Sequence, residues 1–273
     1  MVPFSALNAI PYLMEYQEKS PLVHCMTNDV VQNFTANLLL ATGGSPAMIP
    51  DIEECAEFTE VASALLINVG TLTKIQAEAM LHSAKEAMVT GTPWVLDPVG
   101  IGSTLYFRTK IVHELLAYRP TVIRGNIAEI MVLAGVDAAV KGVDSQESGD
   151  DVAQYAEMVA REFQTIVVMT GEVDYITDGS RGYTVSAGTT LLTRVTGTGC
   201  SLSALVAGMI GSTPDTLEAA ATACYLVALA GQFAAEKATG MGSFALQYLD
   251  EISNMTPERL LEIAKREAPE IQF

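Results

Sequence analysis

Residues 196–200, with the sequence TGTGC, have the types and spacing best suited to chemistry in this chain. Gly197 and Gly199 allow a tight turn and leave backbone N–H groups uncovered. The small residues of 201–208 predict a helix whose positive dipole end and free N–H groups point to the same place. Such a helix start suits a phosphoryl group in transfer. The competing interpretation is a glycine turn before a core helix.

Cys200 stands at the start of the same predicted helix. A thiol at a helix N-terminus loses its proton more easily, so we expect a lowered pKa and a catalytic role as nucleophile or base. The alternative is a buried cysteine that only fills space in the core.

Arg124, Asn126 and Glu129 form a second candidate group. Arg124 can donate two parallel hydrogen bonds to phosphate oxygens. Glu129 can hold Mg²⁺ directly or through water. Asn126 and Glu129 also match a capping box at a helix start, which explains both without a ligand. Capping does not explain Arg124, whose charge opposes the positive end of a helix unless an anion lies there.

Asp97 and Thr170 each follow a short apolar run. Asp97 precedes a glycine loop, where it can face a metal or phosphate or form an Asx turn ahead of Pro98. Thr170 can line a nucleotide pocket or end a strand. Asn28 and Asn33 can hydrogen-bond a heterocycle. Met48 fits a core residue, but an exposed methionine there suits an aromatic, sulfur-bearing ligand. His24 fits a packed or surface histidine better than a catalyst.

Alternating apolar runs and helical patterns predict a mostly parallel α/β sheet with helices on both faces. We expect strands at 64–69, 94–96, 121–123 and 166–169, helices at 75–89, 127–134 and 152–163, and a hairpin of 175–177 with 182–185. The chain after Cys200 reads as helical almost to its end. The polar run 141–151 reads as an exposed loop before a helix.

Four polar residues stand at successive predicted strand ends, namely Asn68, Asp97, Arg124 and Thr170. Residues 197–199 lie at the last junction of strand and helix. Ligands of such sheets bind beyond the carboxyl ends of the strands, so we expect these residues to form one site.

Composition narrows the classes of partner. The chain has 15 basic and 32 acidic residues, a net charge of −17, which argues against nucleic acid and anionic membranes. A phosphorylated ligand therefore needs a locally positive site or a metal. With 273 residues, 49% of them hydrophobic, and no linker-like run, we expect one domain over 1–273.

The four cysteines match no zinc or disulfide pattern, so a reducing cytoplasm is the expected compartment. The first residues lack the basic and apolar regions of a signal peptide. The apolar stretch 219–235 is interrupted by polar residues and reads as a buried helix rather than a membrane span.

Taken together, six segments resemble the hydroxyethylthiazole kinase family of thiamin salvage, in the ribokinase-like superfamily: 24–34, 41–48, 97–104, 124–129, 169–172 and 195–208. The resemblance implies a ribokinase-like three-layer sandwich. It also implies ATP-dependent phosphorylation of the primary alcohol of 4-methyl-5-(2-hydroxyethyl)thiazole. Cys200 occupies the place where sugar and pyrimidine kinases of the superfamily carry an aspartate base.

The resemblance also implies roles for single residues. Arg124 and Thr170 would contact ATP, and we place Asn126 with them. Met48 and Gly197 would contact the thiazole, as we expect of Asn28.

For the metal, the resemblance implies that Asp97 and Glu129 serve Mg²⁺ and phosphate. The family's trimers would bring Met48 to a neighbour's substrate pocket.

Two other functions stay open on the sequence. One is an ATP- or ADP-dependent repair dehydratase for hydrated nicotinamide cofactors, which would normally carry an aspartate in place of Cys200. The other is a non-catalytic protein that binds the thiazole or a nucleotide.

Overall fold

The structure, a computed structural model, describes residues 1–136 and 149–267. Its strands are β1 (Val2–Pro3), β2 (Leu22–Met26), β3 (Ser45–Ala47), β4 (Ala64–Asn68), β5 (Trp94–Asp97), β6 (Val122–Asn126), β7 (Ile166–Thr170), β8 (Asp174–Thr177) and β9 (Gly182–Val185). Its helices are α1 (Ala6–Lys19), α2 (Gln32–Thr42), α3 (Cys55–Val61), α4 (Lys74–Thr90), α5 (Tyr106–Leu116), α6 (Ile127–Leu133), α7 (Gly149–Phe163), α8 (Thr198–Ile210), α9 (Thr216–Lys237), α10 (Met241–Ser253) and α11 (Pro257–Glu267). Short 3₁₀ helices cover Ser103–Leu105 and Thr190–Arg194.

The strands form one sheet in the order β1-β9-β8-β7-β6-β5-β4-β2-β3. Its pairs are parallel except those that β8 makes with β7 and β9. The predicted hairpin is therefore confirmed as β8 and β9. Because β2 and β4–β7 are parallel, their carboxyl ends share one edge of the sheet.

Successive residues of the central strands point to opposite faces of the sheet, as the pleat requires. Ala64, Leu66 and Val95 enter a core with α1, α2 and α8–α11. Leu65 and Leu96 enter a second core with α3–α7. Both faces are covered, which explains the uniformly apolar strands and confirms the three-layer α/β sandwich.

Small side chains let α8 and α9 pack closely in the first core. All of α8 from Ser201 to Ile210 is buried, and it contacts β2, β4 and β5. The helix α9 is long and apolar enough to cross a membrane, but 83% of its apolar window is buried inside the fold. The expectation of a buried helix over 219–235 is confirmed.

Several predicted boundaries are corrected. The strand expected at 121–123 continues to Asn126, so Arg124 belongs to it. The strands β1, β2 and β3 were not predicted, and the segment 24–34 begins within β2. Of the predicted loop 141–151, residues 141–148 lie outside the described residues, whereas 149–151 belong to α7. A 3₁₀ helix, not a strand, precedes residues 197–199.

Candidate active site

Strand register places the polar strand ends side by side. Asn68 of β4 pairs with Asp97 of β5, and Asn126 of β6 pairs with Thr170 of β7. Arg124 lies two residues before the end of β6. The sheet therefore brings together the four strand-end residues that the sequence singled out, as predicted.

Asp97 is fully buried at the centre of this edge. Its Oδ2 accepts hydrogen bonds from Asn68 Nδ2 at 2.8 Å and from Ser203 Oγ at 2.7 Å, and lies 3.8 Å from Arg124 Nη1. Its Oδ1 has no partner among the described residues. Burial raises the pKa of Asp97 to about 6, Arg124 opposes the rise and Glu129 adds to it.

Arg124 links β6, β7 and the start of α8. Its Nη2 donates to Thr170 Oγ1 at 2.7 Å. The guanidinium also packs against Gly199, where an added Cβ would lie 2.8 Å from Nη1 and 3.0 Å from Nη2. Gly199 is thus required for the close approach of Arg124. A cation held against a helix N-terminus is the arrangement that needs an anion nearby.

The helix α8 begins without a side-chain cap. Its N-cap residue Gly197 has a φ of +92°, in the left-handed region that favours glycine. A Cβ on Gly197 would meet Phe34 at 3.2 Å and Val31 at 3.3 Å. The first N–H groups of α8 have no intrahelical acceptor, so this end has the free donors that an anion site needs, and anion binding here stays a prediction.

Cys200 is half-buried in the first turn of α8, and the other three cysteines are buried. Its sulfur accepts a hydrogen bond from Asn28 Nδ2 at 3.5 Å. Burial, with a contribution from the charge of Asp97, raises the pKa of the thiol to about 11, against smaller opposing effects of Asn68, Arg124 and Asn28. The predicted lowering of this pKa is therefore wrong, because loss of hydration outweighs the helix N-terminus.

Asn126 and Glu129 form the predicted capping box at the start of α6. Glu129 N donates to Asn126 Oδ1 at 2.9 Å, and Asn126 N donates to Glu129 Oε2 at 2.8 Å. The second carboxylate oxygen, Oε1, accepts from Gly100 N at 2.8 Å. Glu129 therefore also ties the loop after β5 to α6, which the sequence did not indicate.

The donors present fit a magnesium–phosphate ligand in part. Asp97 Oδ1 and Arg124 Nε are buried polar atoms without a partner in the described chain. A carboxylate oxygen suits Mg²⁺ and a guanidinium N–H suits phosphate. Residues 1–136 and 149–267 contain no group of three or more acidic, histidine or cysteine side chains placed to hold a metal. This is compatible with Mg²⁺, which binds through few carboxylates plus substrate phosphates.

The N-terminal candidates separate into two places. Asn28 is buried beside Cys200, and its amide is engaged by Asn68, Cys200 and the backbone N–H of Val30. Met48 is half-buried just after the edge strand β3.

His24 is fully buried on β2, as expected of a packed histidine. Its Nε2 donates to Ile49 O at 2.9 Å, and Nδ1 lies 3.0 Å from Thr59 Oγ1. Burial lowers its pKa, so the ring is neutral at pH 7.

Two residues of the site were missed. Ser203 was taken as part of a small-residue helix, yet it contacts Asp97. It lies three residues after Cys200, and this helical spacing was the available signal. Arg108 donates to Val99 O at 2.9 Å and to Gly70 O, which joins the loops after β5 and β4. No local pattern predicts that contact.

The three-layer sandwich is also the fold of a ribokinase-like superfamily protein from Enterococcus faecalis V583, at 15% identity and a TM-score of 0.68 over 97% of each chain. Within it, an uncapped helix start lies beside an aspartate and an arginine. Residues 13–258 match the model of the hydroxyethylthiazole kinase family. The chain belongs to the hydroxyethylthiazole kinase family.

Similar proteins agree with this assignment. The hydroxyethylthiazole kinase of Pectobacterium carotovorum subsp. carotovorum is 51% identical over 94% of this chain and 97% of its own. The solved hydroxyethylthiazole kinase of Pyrococcus horikoshii OT3 is 38% identical, with a TM-score of 0.85 over 93% of this chain and 95% of that one. The ADP/ATP-dependent NAD(P)H-hydrate dehydratase of Bacillus subtilis shares the fold alone, at 16% identity and a TM-score of 0.63 over 96% of this chain and 98% of that one.

Proposed function

We propose that this protein transfers the γ-phosphoryl group of ATP to the primary alcohol of 4-methyl-5-(2-hydroxyethyl)thiazole, a step of thiamin salvage. The observation that carries the proposal is the uncapped start of α8 with Arg124 and Asp97 beside it. The substrate class is taken from the relatives, which are hydroxyethylthiazole kinases, because enzymes that catalyse other reactions share the fold.

Each group has a part in this transfer. The N–H groups of α8 and the guanidinium of Arg124 hold the phosphoryl oxygens, with Thr170 orienting Arg124. Mg²⁺ would neutralise phosphate charge when bound, with Asp97 as its direct carboxylate. Glu129 would act through water, since both its oxygens already accept backbone N–H groups. Asn126 would lie at the nucleotide side of the same edge.

The proposal is tested with purified protein, ATP, Mg²⁺ and the thiazole alcohol, with product identified by mass spectrometry. The thiazole monophosphate and ADP are expected. ATP consumption without the alcohol, coupled to dehydration of hydrated NADH, would favour the repair dehydratase instead. Binding of the thiazole without any product would favour a non-catalytic protein.

Cys200 is our candidate for the base that takes the alcohol proton. Because burial raises the pKa of the thiol to about 11, little thiolate is present at pH 7, and turnover should be slow. An aspartate at this position would ionise more readily than the thiol, because its reference pKa is about 3.9 and that of a thiol is about 8.5.

We therefore expect Cys200→Ala to lower kcat roughly 10²-fold, the low end for general acid–base catalysis. Cys200→Asp should retain or exceed the parent activity and lose the rise of kcat with pH between about 7 and 9 that a thiol of high pKa imposes. If alanine matches the parent while aspartate is inactive, Cys200 serves only packing.

We further propose a homotrimer in which Met48 completes a neighbour's substrate site together with Gly197 and Asn28. Support comes from the edge strand β3, which has no strand on its outer side within the described sheet. Leu40, on the helix that packs against β3, is 61% exposed, and Val30 near the site is 65% exposed. Such apolar side chains suit an interface between subunits.

Mixing two inactive variants tests the shared site. Met48→Asp damages the part of a site that the neighbouring subunit contributes, and Gly199→Ala damages the part at the start of α8. If each site uses two subunits, refolded mixtures of the two variants would regain up to about a quarter of the parent activity. No recovery, or an active monomer by light scattering, would contradict the trimer.

Two wider expectations belong to the same proposal. One sheet spans strands from Val2 to Val185, which supports a single kinase domain over residues 1–273. Four free cysteines, three of them buried, support a reducing cytoplasm.

A further inference from the structure

Asn68 occupies a central place that the roles above leave unused. It ends β4, is 1% exposed and pairs in register with Asp97. Its Nδ2 donates to Asp97 Oδ2 at 2.8 Å. Its Oδ1 accepts from Gly70 N at 3.0 Å and from Asn28 Nδ2 at 2.9 Å. Both the nitrogen and the oxygen of the Asn68 amide are therefore hydrogen-bonded.

The neighbours determine which way this amide points. A carboxylate only accepts, so the Asn68 nitrogen must face Asp97. A backbone N–H only donates, so the Asn68 oxygen must face Gly70. A flipped amide would lose both bonds.

The orientation is passed on to Asn28. Asn28 Oδ1 accepts from Val30 N at 3.2 Å, which leaves Asn28 Nδ2 directed at Asn68 Oδ1. The same Nδ2 lies 3.5 Å from Cys200 Sγ and donates to it. The sulfur thus receives an N–H from the asparagine pair, and Cys200 is only half-buried.

We propose that Asn68 is a positioning residue that couples Asp97 to Cys200, holding Asn28 so that its N–H orients the sulfur toward the substrate alcohol. The proposal rests on the kinase function proposed above. The buried amide of Asn68 then fixes the position of the Cys200 thiol, beside the alcohol, relative to the Asp97 carboxylate, beside the phosphate. A displacement of the thiol by a fraction of an ångström relative to the alcohol reduces the fraction of bound complexes that can react.

Ser203 provides a matched control. Both Ser203 and Asn68 donate one hydrogen bond to the same oxygen of Asp97, but Ser203 has no bond to Asn28. Asn68→Ala and Ser203→Ala therefore remove equivalent support from Asp97. Only Asn68→Ala also releases the contact to the thiol.

The first readout is alkylation of Cys200 by iodoacetamide in the protein without substrates, followed by peptide mass spectrometry. A donor to sulfur favours the reactive thiolate. Asn68→Ala should slow alkylation of Cys200 severalfold, and Ser203→Ala should leave that rate at the parent value. Because this arm needs no catalysis, its result stands even if the thiazole is not the substrate.

The second readout separates kcat from KM. Asn68→Ala should lower kcat at least tenfold, while KM for ATP stays within about twofold, because Asn68 does not contribute to the anion site. Asn28→Ala removes the donor to sulfur without touching Asp97, and should reproduce the slow alkylation if Asn68→Ala fails to fold. Equal alkylation rates in Asn68→Ala or Asn28→Ala and the parent, or an equal slowing by Ser203→Ala, would overturn the proposal.

Discussion

Two helices begin at the same edge of the sheet and are built in opposite ways. At the start of α6, Asn126 and Glu129 satisfy each other's backbone N–H groups, and Glu129 also accepts from Gly100. At the start of α8, Gly197 is the N-cap and no side chain caps the helix. Side chains of the protein accept the backbone N–H groups of the α6 capping box, whereas the backbone N–H groups at the start of α8 remain available to a ligand.

The difference shows how one sheet edge divides support from binding. A helix start whose N–H groups are already bonded can position its neighbours but has little left for a ligand. The start of α8 keeps its N–H groups and adds Arg124, which Gly199 admits. We infer that α6 holds the loop after β5 in place and that α8 carries the phosphoryl group.

The strongest test of this contrast is Gly199→Ala. The new Cβ would lie 2.8 Å from Arg124 Nη1 and displace the guanidinium, although alanine favours the helix itself. We expect kcat/KM for ATP to fall roughly 10²–10³-fold, as for loss of a transition-state donor, with little change in thermal unfolding.

Gly242→Ala is its control. Gly242 lies in the first turn of α10, where an added Cβ meets nothing within 4 Å. Parent activity in this variant and in Gly199→Ala would show that the start of α8 is not the phosphoryl site.

A second test concerns the carboxylate between the two helices. Since the pKa of Asp97 is raised to about 6, the folded protein holds a proton there at pH values where the unfolded chain has lost it. Ionised Asp97 therefore lowers the free energy of unfolding above pH 6, and this loss disappears as the pH falls toward 4.

Asp97→Asn should accordingly unfold in urea with a free energy up to about 3 kcal/mol higher than the parent at pH 8, a gain that shrinks as the pH falls to 4. The same variant should lose kinase activity. A stability difference independent of pH would contradict the buried charge at Asp97.

The smallest expected effect lies at the capped helix. Glu129→Gln replaces one acceptor oxygen by an amide nitrogen, which then faces the N–H of Gly100 or Asn126. We expect a loss of about 1–3 kcal/mol in the free energy of unfolding. A raised Mg²⁺ requirement would add evidence for the water-mediated metal role.

The chain supplies its own comparison for this variant in α4, where Gln76 completes a capping box with Thr73. Glutamine is therefore sufficient for capping alone, and Gln76→Glu should change the unfolding free energy by less than about 0.5 kcal/mol. Equal, small effects at both helices would show that Glu129 only caps.

The sequence alone predicted much of this site, because the relevant signals were local. Glycine spacing at 197–199, the capping box at Asn126, and polar residues after apolar runs at Asp97 and Thr170 each depend on neighbours in the chain. The fold class followed from the alternation of strands and helices, which is also local.

Burial and contacts between distant segments were not predictable in this way. The raised pKa of Cys200 depends on how much protein surrounds the thiol, not on its place in a helix. The bond from Ser203 to Asp97 joins residues 106 positions apart, and that from Asn28 to Cys200 spans 172.

The sequence by itself predicted which residues would carry chemistry and that a glycine-rich helix start would accept an anion, and it indicated the strand ends that the structure brings together. The tertiary structure alone decided that Asn68 connects Asp97 with Asn28, that Glu129 supports Gly100, and that Cys200 is a protonated thiol at neutral pH. The physical reason is that hydration and hydrogen-bond partners are set by packing between segments, which residue order specifies only through the complete fold.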